Sequence, residues 1–82
     1  MKIVYFAALR REIGMGEESV SPPPAVTTVA GLLDWLKSRS PAHAKALSAP
    51  RLMAAVNHDY AGLDAVVSAG DEVAFFPPVT GG

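Results

Sequence analysis

Apolar residues fall along this chain in short runs divided by glycine and proline. Ile3 to Ala7 is rich in β-branched and aromatic residues and predicts a first strand. Gly14-Met15-Gly16 is a turn signal, and Glu17 to Ser21 then fits a short second strand paired antiparallel with the first. Pro22-Pro23-Pro24 lacks the N–H donors that a ladder needs, so it ends that strand as a stiff connector. Val29, Leu32, Leu33 and Leu36 then recur at i, i+3, i+4 and i+7, with Thr27 or Thr28 placed to cap the start. The spacing predicts a helix that buries this stripe against Ile3, Tyr5, Val73 and Phe75. Pro41 stops it near Ser40, and a second short helix over His43 to Leu47 is closed by Pro50. Leu52 to Val56 predicts a third strand, and Asn57-His58-Asp59-Tyr60 a turn with a short edge segment before Leu63. Gly70-Asp71 turns the chain into a strongly apolar last strand, Glu72 to Phe76, which Pro77-Pro78 ends.

The order is therefore strand, strand, helix, strand, strand. A helix laid across one face of a small mixed sheet is the economical way to bury both apolar faces, and this order is that of an α+β, β-grasp (ubiquitin-like) architecture. At 82 residues the chain makes one domain with a thin margin of stability. Residues 1–76 are expected to form the folded body and residues 77–82 a flexible tail. So short a chain has little room for a deep cleft walled by its own residues, which favours a protein that acts with a partner.

Apolar residues make up 50% of the chain and charged residues 18%, a balance that builds a core and argues against disorder. The net charge is -1 and the seven Lys and Arg are scattered, so the concentrated positive footprint of a nucleic-acid binder is missing. The apolar run after Met1-Lys2 is short and is followed by Arg10-Arg11-Glu12 without a small-residue cleavage site, which reads as a strand rather than a leader. No stretch is long enough to span a membrane. A cytoplasmic protein is expected.

The side chains offer no catalytic constellation. His43 and His58 have no metal-ligand spacing and read as surface residues; the carboxylates at turns are explained by turn chemistry. No serine lies in a nucleophile elbow, and no glycine-rich loop precedes a helix. The end of the sequence is different. Gly81 and Gly82 have no β-carbon, so backbone can approach backbone closely in a narrow channel. Pro77 and Pro78 hold an extended conformation, and from Pro77 to Gly82 an extended chain reaches roughly 20 Å. A carboxylate at Gly82 can be activated as an acyl adenylate, from which a nucleophile displaces AMP. Because cysteine is absent, any sulfur the chain handles must ride on something other than a side chain.

The run Gly70-Asp71-Glu72-Val73-Ala74-Phe75-Phe76-Pro77-Pro78-Val79-Thr80-Gly81-Gly82 resembles the ending of the small subunits of molybdopterin synthase. Phe6-Ala7-Ala8-Leu9-Arg10, with Gly14 after it, is similar to that family's first strand and turn, and Val56-Asn57 is similar too. Arg11 departs from the family, which more often has Glu directly after the Arg, and Ser38 to Pro50 matches nothing in it. The resemblance implies a cycle. An E1-like adenylating enzyme uses ATP and magnesium to convert the Gly82 carboxylate to an acyl adenylate, and a sulfur donor protein yields a thiocarboxylate. The tail, Pro77, Pro78, Val79, Thr80 and Gly81, then passes into the large synthase subunit. There, catalysis by that subunit transfers sulfur to cyclic pyranopterin monophosphate. The chain itself would bind no cofactor and no metal, and would contact neither nucleic acid nor membrane. Other readings stay open: a sulfur carrier for thiamine thiazole synthesis, a ubiquitin-like protein modifier, or a binding module with an incidental tail.

Strand parity points to a partner surface. Side chains alternate faces along a strand. Lys2 and Glu72 are charged and face water, so Val4 and Phe6 share the face of Lys2, and Ala74 and Phe76 that of Glu72. With the first and last strands adjacent, Phe6 and Phe76 form an apolar patch with Val4, and Arg10 is expected at its rim.

Overall fold

The computed structural model describes residues 1–78. In chain order the elements are β1 (Lys2–Tyr5), α1 (Ala7–Ile13), β2 (Glu17–Ser19), α2 (Val29–Lys37), α3 (Pro41–Ala46), β3 (Met53–Val56), β4 (Asp59–Ala61) and β5 (Glu72–Phe76). The strands form one mixed sheet in the order β2-β1-β5-β3-β4. β1 and β5 run parallel side by side, from Lys2↔Glu72 to Tyr5↔Phe75, and every other pairing is antiparallel.

Alternation along these strands divides the sheet into two faces. Ile3, Tyr5, Val73 and Phe75 are buried, and join Val29, Leu32 and Leu36 of α2, Leu9 and Ile13 of α1, and Ala46 beside Leu47 at the end of α3 in one core. The expected sheet residues are thus all in place. Of the expected α2 stripe, Leu33 departs: it is half-buried at the core's edge, whereas Val29, Leu32 and Leu36 are sealed. Leu33 lies about 100° around the helix from Leu32, which turns it off the line that points into the sheet.

The described residues hold three helices, not the two expected. β1 ends at Tyr5 rather than Ala7, and the stretch read as strand and turn holds α1. Phe6 is still extended, at φ -118° and ψ 158°, and Ala7 at φ 53° swings the chain into the helix. Leu9 and Ile13, one turn apart, are its buried residues, and Arg10 and Arg11 lie in its last turn, where cations favour the helix dipole. Gly14, at φ 89°, is the left-handed cap, donating its N–H to the Arg10 carbonyl at 2.9 Å. The turn signal at Gly14 was therefore a helix stop. β1 and β2 pair antiparallel as expected, but through a helix instead of a tight hairpin.

α2 begins as expected. Thr28 Oγ1 accepts from Gly31 N at 3.2 Å, while Val29 and Ala30 N–H donate to the Ala65 and Leu63 carbonyls, so a loop satisfies what the cap leaves open. Pro41 opens α3 from its first turn, with Ser40 Oγ accepting from His43 N at 3.1 Å. The second helix thus starts two residues before the expected His43. Asn57 and His58, both at positive φ, make the tight turn between β3 and β4, so β4 starts inside the stretch read as a turn. Among the described residues no helix is long and apolar enough to cross a membrane.

Candidate functional site

The face of the sheet turned away from the helices carries a continuous cross-strand row. Register places Glu17, Val4, Ala74, Ala55 and Tyr60 in line across β2, β1, β5, β3 and β4. Small side chains in the middle make a floor, and larger ones stand on either side. On one side, Phe6 meets Phe76 edge to face with ring centroids 6.4 Å apart, and Tyr60 lies 5.9 Å from Phe76. Phe6 is 50% and Tyr60 76% exposed, which leaves two large rings in water on a face with no helix above it. On the other side, Lys2 Nζ pairs with Glu17 at 2.9 Å and Glu72 at 3.7 Å, and His58 Nε2 meets Glu72 Oε2 at 2.9 Å. Between the walls lies a groove of about 300 Å³ lined by Phe6, Ala55, His58, Glu72, Ala74 and Phe76.

The parity reading therefore brought Val4, Phe6, Ala74 and Phe76 to one face. Arg10 is not brought there. It sits on α1 with its guanidinium against the turn at Gly16, where an added β-carbon would come within 3.2 Å of Nε. Sequence reasoning missed Tyr60, Ala55 and His58 as groove residues. The signal was present in the Asn57-His58 turn, since a two-residue turn there fixes Tyr60 opposite Ala55.

The groove lies at the root of the tail. β5 runs parallel to β1, so its last residue, Phe76, reaches the same end of the sheet as Phe6 and hands the chain to Pro77 and Pro78, both half-buried. Val79, Thr80, Gly81 and Gly82 lie outside the described residues.

A second polar cluster sits on the helix side. His43, read as a surface residue, is buried at 6% exposure. Its Nε2 lies 2.7 Å from Glu18 Oε2 and its Nδ1 2.7 Å from Ser40 Oγ. Tyr5 donates its hydroxyl to the same Glu18 oxygen at 2.8 Å, and Arg39 Nη2 lies 3.1 Å from Oε1. The residues come from β1, β2, the α2–α3 connection and α3, with Tyr5 and His43 in opposite halves of the sequence, so spacing carried no sign of them. Burial pushes the Glu18 carboxyl up, but hydrogen bonds from His43 and Tyr5 and the charge of Arg39 outweigh it and hold the carboxyl below the usual glutamate range. A lowered folded-state value means that this stabilisation is complete above the ordinary glutamate pKa of about 4.3 and is lost as pH falls through the lowered value. Glu18→Gln should cost about 1.5–3 kcal/mol at neutral pH, as expected for hydrogen bonds to a charged group. It should also flatten the acid limb of a melting-temperature-against-pH profile. An acid limb identical in both proteins would show that the cluster does not set acid stability.

A five-stranded mixed sheet with parallel central strands and a helix-covered inner face defines a ubiquitin-like β-grasp protein. Its outer face carries Phe6, Phe76 and Tyr60 together at the end where β5 stops. The chain belongs to the ThiS family, whose model matches residues 3–82. It is 39% identical over 82 residues to the molybdopterin synthase sulfur carrier subunit of Escherichia coli (strain K12), covering 100% of this chain and 99% of that protein. The protein of the same name in Haemophilus influenzae is 33% identical over the same spans. Among solved structures, small archaeal modifier protein 1 of H. volcanii superposes with a TM-score of 0.76 at 30% identity, covering 96% of this chain and 97% of that one.

Proposed function

We propose that this chain is the sulfur carrier subunit of a molybdopterin synthase, with the carboxylate of Gly82 as its working group. The carrying observation is the likeness, end to end and at 39% identity, to a protein of that name. In the proposed cycle a carboxylate oxygen of Gly82 attacks the α-phosphorus of ATP on an E1-like enzyme that holds the magnesium, and pyrophosphate leaves. Sulfide-level sulfur delivered by a donor protein then attacks the acyl carbon with its own electron pair, AMP leaves with the pair of the broken acyl–phosphate bond, and a thiocarboxylate remains. This chain supplies the nucleophilic sulfur, and the large synthase subunit supplies the residues that move it onto cyclic pyranopterin monophosphate. In that division this chain needs no nucleophile-and-base pair of its own.

Docking is assigned to Phe6, Phe76 and Val4 on the outer face, with Arg10 as a separate charged contact on α1. Aromatic rings at the root of the tail let one surface both hold the partner and aim the last residues into it. The large subunit and the adenylating enzyme share that surface in this reading, so the carrier leaves one before loading onto the other. Phe76→Ala should weaken binding to both by about tenfold or more, roughly 1.4 kcal/mol, with a modest change in melting temperature. Affinities for both partners within twofold of the parent protein would remove the docking assignment and leave the carrier role standing.

A second reading has its own support. Likeness to small archaeal modifier protein 1 favours a protein modifier, in which a lysine amine in place of sulfur takes the activated carboxyl. The activating step is common to both, and the product on Gly82 separates them.

A further inference from the structure

The groove that the proposed function assigns to docking has a polar wall with an unfinished contact. Along it, two carboxylates share one lysine: Glu17 takes Lys2 Nζ at 2.9 Å, and Glu72 is left with the same nitrogen at 3.7 Å. The first distance is that of a charge-assisted hydrogen bond and the second is well beyond it. The two oxygens of Glu72 are therefore unequal. Oε2 is held by His58 Nε2 at 2.9 Å, whereas among the described residues Oε1 has only the long pairing with Lys2. Glu72 itself lines the groove beside Phe6, Ala74 and Phe76, and its side chain is 34% exposed, so this oxygen's environment is partly screened from water.

The surroundings fix the wall in this state. Asn57 accepts from Glu72 N at 3.0 Å through its side-chain oxygen and donates its own N–H to the Glu72 carbonyl at 2.8 Å, which pins the residue at the start of β5. The same asparagine donates to Asp71 Oδ1 at 3.0 Å, while Ser68 N donates to Asp71 Oδ2 at 2.8 Å, so the neighbouring carboxylate is already occupied by its turn. His58 sits at φ 73°, a left-handed conformation disfavoured for a non-glycine residue, with its ring on Glu72. The wall thus presents a rigidly mounted carboxylate with one oxygen short of a close donor, directly beside an apolar slot.

Resting on the docking reading, we infer that the groove takes a protein segment pairing an apolar side chain with a lysine or arginine: the apolar group enters the slot between Phe6, Ala55, Ala74 and Phe76, and the cation bonds Glu72 Oε1. Charge complementarity selects the cation, because the wall's two carboxylates outnumber its one lysine. An acidic partner segment would face Glu17 and Glu72 and be repelled.

The test is calorimetric titration of the full-length chain with the large synthase subunit at low and high salt. Three carriers are compared: the parent chain, Glu72→Gln and Phe76→Ala. Glu72→Gln keeps the size and the His58 neighbour but removes the charge; it should weaken binding about tenfold at low salt and reduce the salt dependence seen with the parent chain. Phe76→Ala should weaken binding while the salt dependence stays. If Phe76→Ala weakens binding but Glu72→Gln stays within twofold with an unchanged salt slope, the cationic contact is wrong and the docking surface survives. If neither substitution matters, the docking reading itself fails and takes this inference with it. Circular dichroism melts of all three proteins separate lost contacts from lost fold.

Discussion

Deletion of Gly82 is expected to abolish sulfur transfer in a reconstituted molybdopterin synthase assay while leaving the fold untouched. Gly81→Ala should lower the rate by at least about tenfold, which corresponds to about 1.4 kcal/mol of barrier. The reasoning is steric and chemical together. The deletion moves the carboxylate back by one residue, roughly 3.3–3.6 Å of extended chain, and so withdraws the reacting atom from its place in the partner. The alanine adds a β-carbon where two backbones are proposed to pass closely, and it narrows the backbone conformations available. The core is built chiefly from β1, β3, β5 and the helices, and both changes fall outside it in sequence, beyond the described residues. Melting temperatures should therefore match the parent protein. Full activity of the deletion variant would mean that the sulfur is carried elsewhere.

The second large effect is on stability. Leu32→Ala should cost about 2–5 kcal/mol, because the side chain is completely buried and truncation removes its contacts while leaving a cavity. Against a total of about 5–15 kcal/mol for a typical domain, that is a large share, and this small domain sits towards the low end. Leu33→Ala should cost clearly less, since Leu33 is half-buried and packs at the edge of the core. Denaturant unfolding of both variants measures the difference. Equal losses at the two positions would mean that α2 presents a broader face to the sheet than its burial pattern indicates.

Those two leucines also show where the amino-acid pattern was informative and where it stopped. The stripe from Val29 to Leu36 announced α2, and a threonine before it announced the cap, since both signals are local. Periodicity alone gave Leu33 the same weight as Leu32; the direction of the sheet, a tertiary fact, decided between them. Strand parity served the outer face well, because Lys2 and Glu72 fixed which alternate residues face water, and Phe6 kept the extended backbone that carries parity beyond β1. α1 was hidden for the opposite reason. At seven residues it shows one buried pair, Leu9 and Ile13, and its first residue adopts a left-handed φ that no composition rule assigns to alanine. His43 was misread because its partner, Glu18, comes from a strand 25 residues earlier, and a histidine met alone gives no sign of a carboxylate across the core. Tyr60 was lost to the turn by two residues of register at the Asn57-His58 bend.

The site divides along the same line. The tail is an expectation from residue types alone, because glycine at the end and proline before it have backbone consequences that need no tertiary information, and Val79 to Gly82 lie outside the described residues. The groove needed the sheet. Val4, Ala74 and Ala55 become a floor only when three strands from both ends of the chain lie in register, and Glu72 becomes a groove wall only when the hairpin brings His58 beside it.

The most direct test of the sulfur-carrier reading is the intact mass of this chain after incubation with the E1-like enzyme, ATP, magnesium and the sulfur donor, with fragmentation to locate the change. One oxygen is expected to be replaced by sulfur, on Gly82 alone, with the change lost when ATP is omitted. A chain that stays at its starting mass, or that emerges joined through Gly82 to a lysine of another protein with no thiocarboxylate formed, would contradict the sulfur-carrier reading.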